Sequence, residues 1–136
     1  MSLTRSYIEK CENILKSIDD QQGVILEVAQ RFAETILKGR VVHLFGSGHS
    51  RIMVEEMWPR YGSYPGFNPI VELSLTFHNQ VSGSNGQRQA MFLENVSGFA
   101  SKVLRNFDIS EEDSALVVSS GAVSYTHLTL PTSIQV

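Results

Sequence analysis

A short run of glycine and serine residues carries the clearest chemical signal in this sequence. The run is Gly46–Ser50 (GSGHS), and it lies between an apolar segment and a segment of helical periodicity. Glycine lets the backbone approach a ligand, while hydroxyl groups and the first N–H groups of a helix donate hydrogen bonds to anions. The run therefore predicts a phosphate or carboxylate site, with an ordinary structural turn as the alternative. It is not a Walker A loop, and Arg51 replaces the third glycine of a dinucleotide fingerprint.

A second serine- and glycine-rich turn, Ser119–Gly121, follows another apolar run. If both apolar runs form parallel strands, their carboxyl ends meet at one edge of the sheet, and both turns open into the same crevice. Two hydroxyl-rich turns at one crevice suit a phosphate monoester better than a long dinucleotide. An ordinary loop is again the alternative.

Candidate acid–base groups follow the first turn. Glu55 and Glu56 lie one helical turn or more into the predicted helix, and a carboxylate near a bound sugar can move the proton of an isomerisation or an elimination. A solvated glutamate on a helix surface is the alternative for both. His49 is a candidate for opening the sugar ring or contacting the phosphate, and a local hydrogen bond is its alternative.

Other polar side chains give weaker signals. His43 lies inside an apolar run and is interpreted as a core histidine with satisfied hydrogen bonds, while Glu72 and His78 flank the end of a predicted strand. No spacing of His, Cys, Asp and Glu suggests a zinc or calcium site. The only cysteine, Cys11, excludes an internal disulfide. We therefore expect neither a metal nor another cofactor.

Two helices are predicted at the N-terminus. Apolar residues recur at helical spacing over residues 7–18 and 24–37. Asp19 or Asp20 is the predicted N-cap of the second helix, and Gly39 suits the left-handed turn that ends it. We interpret residues 1–39 as a helical hairpin that packs on the rest of the fold, with a dimer interface as the alternative.

The remaining segments alternate between strand and helix. Strands are predicted over residues 40–45, 69–76 and 114–118, helices over 50–60 and 91–106 with a break near Gly98, and loops over 61–68 and 78–89. The second loop is long enough to be a mobile loop or a substrate lid. The order β–α–β–α–β predicts a parallel sheet that helices cover on both faces. The predicted fold class is therefore α/β.

Composition limits the classes of function. Of the 136 residues, 42% are hydrophobic and 18% are charged, which is enough apolar material for a packed core. The formal net charge of −3 argues against a protein that neutralises nucleic-acid phosphates. The sequence has no apolar run of the roughly 18 residues that a membrane helix needs, and its N-terminus lacks the apolar core of a signal peptide. These features predict a soluble, cytoplasmic protein.

The C-terminal segment differs from the rest of the chain. Residues 122–136 contain no Asp, Glu, Lys or Arg. Residues 123–132 also match one translated frame of an adapter that library preparation joins to DNA ends. A natural β-prone tail is the alternative, since Tyr125–Leu130 is rich in Thr and Leu. We interpret residues 122–136 as a non-native tail and exclude them from functional reasoning.

Together, the two turns resemble the Ser/Thr-rich phosphate loops of the SIS (sugar isomerase) domain. The longer stretch Val42–Asn106 resembles one uncharacterised bacterial branch of that family, and the resemblance covers Ser2–Gly121. It implies a three-layer αβα sandwich of flavodoxin-like topology, a five-stranded parallel sheet with the first strand in the centre, a homodimer and binding of phosphorylated sugars. Residues 1–121 are then the N-terminal part of a SIS domain, in which residues 40–121 supply only the first three strands.

The resemblance also implies roles for individual residues. Glu56 begins a Glu-x-x-Pro segment similar to that of the muramic acid phosphate etherases, in which this glutamate works as acid or base. The separation in sequence between Glu56 and the first serine turn is one helical turn shorter than the corresponding separation in those etherases. His49 is the second catalytic candidate. The residues expected to bind the substrate phosphate are Ser47, Gly48, His49, Ser50, Ser119 and Ser120.

The functional prediction is phosphosugar binding by a sugar-phosphate isomerase or an etherase-like lyase, with no activity in residues 1–136 alone. A non-catalytic sugar-phosphate sensor is the alternative. Regulators of that class carry a basic helix-turn-helix domain ahead of the SIS domain, whereas residues 1–39 balance acidic and basic side chains. A nucleotide-binding module would need a P-loop lysine and an acidic ribose partner. The expected partners are a phosphorylated sugar and a second copy, not nucleic acid or a membrane.

Overall fold

The computed structural model describes residues 2–58, 60–76, 80 and 83–119. Two long helices come first, and strands alternate with shorter helices after them. The helices are α1 (Leu3–Asp19), α2 (Gln22–Leu37), α3 (Arg51–Met57), α4 (Leu73–Thr76), α5 (Gly86–Leu93) and α6 (Phe99–Leu104). The strands are β1 (Val42–Gly46), β2 (Phe67–Pro69) and β3 (Ser114–Val118).

The three strands form one parallel sheet with β1 in the centre. β1 pairs with β2 on one side, where Val42 lies opposite Phe67. On the other side it pairs with β3, from Val42 opposite Ser114 to Gly46 opposite Val118. Parallel neighbours need crossover connections, and the shorter helices lie in these connections. The predicted α/β fold with a parallel sheet is confirmed, as is the central place of the first strand.

Helices lie against both faces of the sheet. On one face, Val42 and Leu44 are fully buried and form the core together with Val54 of α3. The partly buried side chains that pack against this core are Phe32, Ile36, Met57, Phe67 and Leu116. On the opposite face, Phe45 and Val117 lie toward the segment from α5 to α6. Successive residues of a strand point to opposite faces, which explains this division.

Both predicted N-terminal helices are present, and their apolar side chains stay largely exposed. α1 has no buried side chain, and in α2 only Thr35 is buried. The predicted N-cap of α2 by Asp19 or Asp20 is wrong. Asp20 ends α1 instead, and Gln21 precedes α2 without a side-chain hydrogen bond to it. Gly39 takes the left-handed conformation predicted for the end of α2, with a φ of +75°.

The second strand is shorter and earlier than predicted. The alternation of residue types predicts a strand over residues 69–76, but β2 ends at Pro69 and α4 occupies the end of that range. The Glu72 carboxylate accepts the backbone N–H of Leu75 at 3.0 Å and a hydrogen bond from the Ser74 hydroxyl. These local bonds cap a helical turn, and they outweigh the alternation. Glu72 therefore has a capping role in this structure.

The segment after α4 also differs from the prediction in part. The predicted loop over residues 78–89 contains a helical turn at Gly83–Asn85 and the first residues of α5. The helix predicted over residues 91–106 divides into α5 and α6 near Gly98, as expected. α3 ends at Met57, three residues before the predicted end at residue 60.

A buried carboxylate lies at the amino edge of the sheet, immediately before β3. Asp113 accepts two hydrogen bonds from the Arg40 guanidinium, at 2.9 and 3.1 Å, and one from the Ser110 N–H at 2.8 Å. Its side chain is 2% exposed. Burial alone would raise the pKa of Asp113, but these hydrogen bonds, with those from His43 and the Val41 N–H, hold that pKa well below its ordinary range.

His43 extends this network across β1. Its Nε2 lies 3.1 Å from a carboxylate oxygen of Asp113, and its Nδ1 lies 3.1 Å from the side-chain nitrogen of Asn68 on β2. Because the Asn68 amide donates to Nδ1, Nε2 carries the proton that Asp113 accepts. The side chain of His43 is 2% exposed. The prediction of a core histidine with satisfied hydrogen bonds is confirmed.

Candidate phosphate-binding site

Ser47 and Ser119 follow the carboxyl ends of two adjacent strands. Gly46 and Val118 end β1 and β3, and they lie opposite each other in the parallel ladder. The next residues along the chain are Ser47 and Ser119, so both serines follow the sheet at the same level of adjacent strands. Adjacent strands are about 4.8 Å apart, a distance that one phosphate group can bridge with hydrogen bonds.

The first turn closes tightly over the end of β1. Gly48–Ser50 form a single 3-10 turn, in which the Ser50 N–H donates to the Ser47 carbonyl at 3.0 Å. A Cβ atom on Gly46 would lie 2.6 Å from the Ser50 carbonyl oxygen, closer than real contacts allow. The turn can fold back over the strand because residue 46 has no side chain.

A carboxylate to which the sequence analysis gave no role, Glu94, contacts the first turn. The Ser47 hydroxyl donates a hydrogen bond to Glu94 Oε1. Glu94 is the C-cap of α5, a place where the helix dipole disfavours a negative charge by about 0.3–1 kcal/mol. An acidic residue at the C-terminal end of a helix is therefore the signal in the sequence that could have found it.

A cavity of about 180 Å³ lies between the sheet and the segment from α5 to α6. Ser47 and Glu94 line it together with apolar side chains, among them Phe45, Leu93 and Val117. A carboxylate and a hydroxyl in a mostly apolar cavity can bind a polar group and move a proton where water is partly excluded. This combination is typical of a small-molecule site.

Comparison with known proteins identifies the family of this chain. Residues 6–129 match the family model of the SIS domain. The chain belongs to the SIS domain family.

Sequence relatives agree with this assignment. A UPF0309 protein of Halalkalibacterium halodurans is 30% identical over 115 residues, which cover 84% of this chain and 44% of the relative. One from Listeria monocytogenes serotype 4b is 30% identical over 118 residues, 86% of this chain and 45% of its own length. A third, from a Geobacillus species, is 31% identical over 111 residues, with coverage of 82% and 41%. The chain spans less than half the length of these relatives.

The SIS-domain match extends to residue 129, past the predicted boundary at residue 121. Residues 120–136 lie outside the described part of the chain. Two assignments therefore stay predictions: Ser120 as a phosphate ligand, and residues 122–136 as a non-native tail. Among the helices that the structure describes, none combines the length and the apolar character of a membrane span.

The glutamates predicted to act in the SIS domain lie on the surface of α3. Glu56 is exposed and its carboxylate lies 3.1 Å from Arg60 Nη1. Glu55 pairs with Arg51 at 3.8 Å. Within the described residues, neither glutamate lines the cavity that Glu94 enters. The acid–base role of Glu56 stays a prediction.

The remaining predicted residues divide between the two turns. His49 is exposed and Ser50 is half-buried, and both lie in the 3-10 turn of the first loop. Ser119 is exposed at the end of β3. His78 lies outside the described residues. Ser47 thus contacts Glu94, and Ser47 and Ser119 follow paired residues of β1 and β3.

Gly46→Ala is expected to open the first turn of the SIS domain and to lower its free energy of unfolding by about 1–3 kcal/mol, the usual range for overpacking. The added Cβ meets backbone atoms of Ser50, which cannot rotate away. Denaturant unfolding followed by circular dichroism measures the change. Gly23→Ala is the matched control, because its Cβ meets nothing within 4 Å and alanine favours the helix. Equal stability of Gly46→Ala and the wild type would contradict the close approach.

Proposed function

We propose that this SIS domain binds a phosphorylated sugar at the carboxyl edge of its sheet, with the phosphate between the two serine turns. The observation that carries the proposal is the pairing of the last residues of β1 and β3, because it sets Ser47 beside Ser119. A phosphate dianion only accepts hydrogen bonds, and serine hydroxyls and backbone N–H groups donate them. Ser50 lies in the first turn, and Ser120, which follows Ser119 in the sequence, completes the proposed donor set. Membership of the SIS family supports the same ligand class.

Phosphate binding by Ser47 has a consequence for Glu94. A serine hydroxyl has a single O–H group, and Ser47 donates it to the Glu94 carboxylate in the ligand-free chain. A phosphate needs the same donor, so the arriving ligand turns the hydroxyl away from Glu94. The carboxylate then loses this hydrogen bond and faces the sugar that the phosphate carries.

The proposed chemistry is proton transfer on the bound sugar, in either an isomerisation or an elimination. Glu94 takes a proton from the carbon next to the sugar carbonyl. In an isomerisation it returns the proton to the former carbonyl carbon, while the proton of the neighbouring hydroxyl moves to the former carbonyl oxygen. In an elimination it gives the proton to the oxygen that leaves, as the carbon–oxygen bond breaks and a carbon–carbon double bond forms. Glu56 remains the acid–base candidate from the resemblance, and its ion pair with Arg60 has to open for that role. A cytoplasmic location, where sugar phosphates are made and consumed, is part of the proposal.

In the complete gene product, a sugar phosphate at 100 times its dissociation constant is expected to stabilise the folded state by about 2.7 kcal/mol. The corresponding free sugar should have no such effect, because the proposed contacts are made to the phosphate. A thermal-shift screen of matched phosphorylated and free sugars measures the difference. Ser47→Ala should remove most of the shift, whereas Ser17→Ala, which removes an exposed hydroxyl of α1, should leave it unchanged.

Equal shifts with phosphorylated and free sugars would rule out the phosphate assignment. Nuclear magnetic resonance of the best ligand during incubation then distinguishes the activities. A new ketose or aldose phosphate identifies an isomerase, and an unsaturated sugar phosphate identifies a lyase. A ligand that binds and stays unchanged identifies the sensor.

A further inference from the structure

An arginine joins the first serine turn to the short helix that follows β2. Arg51 is the first residue of α3 and comes directly after the 3-10 turn Gly48–Ser50. Its Nη1 donates a hydrogen bond to the carbonyl oxygen of Thr76, the last residue of α4. The two residues are 25 positions apart in the chain, and the side chain of Arg51 is 23% exposed. This contact is therefore a partly buried link between the first turn and α4.

The acceptor of this hydrogen bond is itself held in place. The last carbonyl groups of a helix have no partner within the helix, and an arginine side chain can supply the missing donor. Thr76 is buried, and its N–H and its hydroxyl both donate to the carbonyl oxygen of Glu72, at 3.0 and 2.9 Å. Because these bonds fix Thr76, its carbonyl oxygen is a firm anchor for the guanidinium of Arg51.

The first turn is tied to the same side of the fold at its other end. There the Ser47 hydroxyl donates to Glu94, the C-cap of α5, and α4 contacts both the 3-10 turn and α5. The link at Ser47 uses a hydroxyl that the proposed function assigns to the phosphate. The link at Arg51 uses no group of the proposed donor set, so it can persist when the phosphate is bound.

We propose that Arg51 is a positioning residue of the phosphate site, because its hydrogen bond to Thr76 holds the first serine turn in the shape that receives the phosphate after Ser47 has released Glu94. This inference rests on the proposed function and names the side chain that preorganises its site. A turn that is held before the ligand arrives loses less conformational freedom on binding, and the ligand therefore binds more tightly.

The ion pair of Arg51 does not account for this role. Arg51 Nε lies 3.8 Å from Glu55 Oε1, one turn further along α3. Arg5 and Glu9 on α1 form a pair of the same spacing and the same distance, and pairs of this kind on a helix surface contribute little to stability. Arg5 therefore offers a matched control, because it shares the ion pair on a side chain that is 78% exposed.

In the complete gene product, Arg51→Met is expected to raise the dissociation constant of inorganic phosphate at least about 10-fold, because the turn is no longer held before binding. Arg51→Lys keeps a donor for the Thr76 carbonyl and should recover most of the affinity, and Arg5→Met should bind as the wild type does. Nuclear magnetic resonance titration at low and high salt measures these constants, and the fold loss in Arg51→Met should be the same at both. A loss that shrinks at high salt would mean that the guanidinium contacts the phosphate directly, and it would overturn the proposal.

Amide hydrogen exchange of the ligand-free protein separates this inference from the proposed function. The Ser50 N–H, which donates to the Ser47 carbonyl at 3.0 Å and closes the turn, should exchange at least about 10-fold faster in Arg51→Met. The Trp58 N–H, which donates to the Val54 carbonyl at 3.1 Å at the other end of α3, should keep its rate. Equal exchange of Ser50 in both proteins would overturn the inference and leave the proposed function standing. Faster exchange in a protein whose wild type binds no phosphate would overturn the proposed function, and the inference with it.

Discussion

Replacing Glu94 with glutamine is expected to lower turnover of the sugar phosphate by about 10²–10⁴, the usual contribution of a general acid–base group, while the ligand still binds. The amide has the size of the carboxylate and still accepts the hydrogen bond from Ser47, but it cannot take up the proton. Removing a negative charge beside the phosphate should tighten binding rather than weaken it. Steady-state kinetics gives kcat and KM for the complete gene product, and calorimetry gives the dissociation constant.

Two further substitutions make this test specific. Glu111→Gln removes an exposed carboxylate before β3, at the opposite edge of the sheet, and should leave kcat unchanged. Glu56→Gln tests the assignment that comes from the resemblance. A large loss of turnover in Glu56→Gln together with normal turnover in Glu94→Gln would transfer the acid–base role to Glu56.

Asp113→Ala is expected to lower the free energy of unfolding by about 3 kcal/mol, because it leaves buried hydrogen-bond donors without an acceptor. The Ser110 N–H and the ring of His43 both donate to this carboxylate. Urea unfolding of the complete gene product at pH 7 measures the loss. Glu112→Ala removes the exposed neighbouring carboxylate and should change stability by less than about 0.5 kcal/mol.

Acid should erase the difference between the wild type and Asp113→Ala. Hydrogen bonds lower the pKa of Asp113 in the folded state against the opposing effect of burial, so folding favours its ionised form. That contribution is fully present above the pKa of an unfolded aspartate, about 3.9. It is lost as the pH falls below that value toward the folded pKa. A stability difference that stayed constant down to acid denaturation would contradict an ionised Asp113.

Strands β1 and β3 could be predicted from the sequence because their residue pattern is distinctive within each short segment. Both are short runs of valine and leucine that are bounded by turn-forming or polar residues, and a strand buried on both faces needs such a run. Their shared carboxyl edge followed from the right-handed crossover that joins parallel strands. The neighbouring positions of Ser47 and Ser119 could therefore be anticipated without coordinates.

β2 and Glu94 could not be predicted in this way. β2 has only three residues, and its extended form depends on pairing with β1, a contact that local residue patterns do not encode. Glu94 meets Ser47 across 47 residues of chain, because α5 ends at Leu93 and Glu94, its C-cap, lines the cavity beside the sheet. The residue pattern predicts a helix there, but the direction of that helix depends on packing against the sheet.

The hydrogen bonds of His43 also decide how the strands align. In an apolar parallel sheet, a slip of two residues keeps every side chain on its own face and preserves many apolar contacts. His43 removes this freedom, because it hydrogen-bonds Asn68 on β2 on one side and Asp113, immediately before β3, on the other. A slipped alignment would separate the buried imidazole from both of these partners, and a buried polar group left without its hydrogen bond costs about 1–3 kcal/mol. One histidine thus fixes the register of the strands. This register also sets the level at which Ser47 and Ser119 follow β1 and β3 at the other end of the sheet.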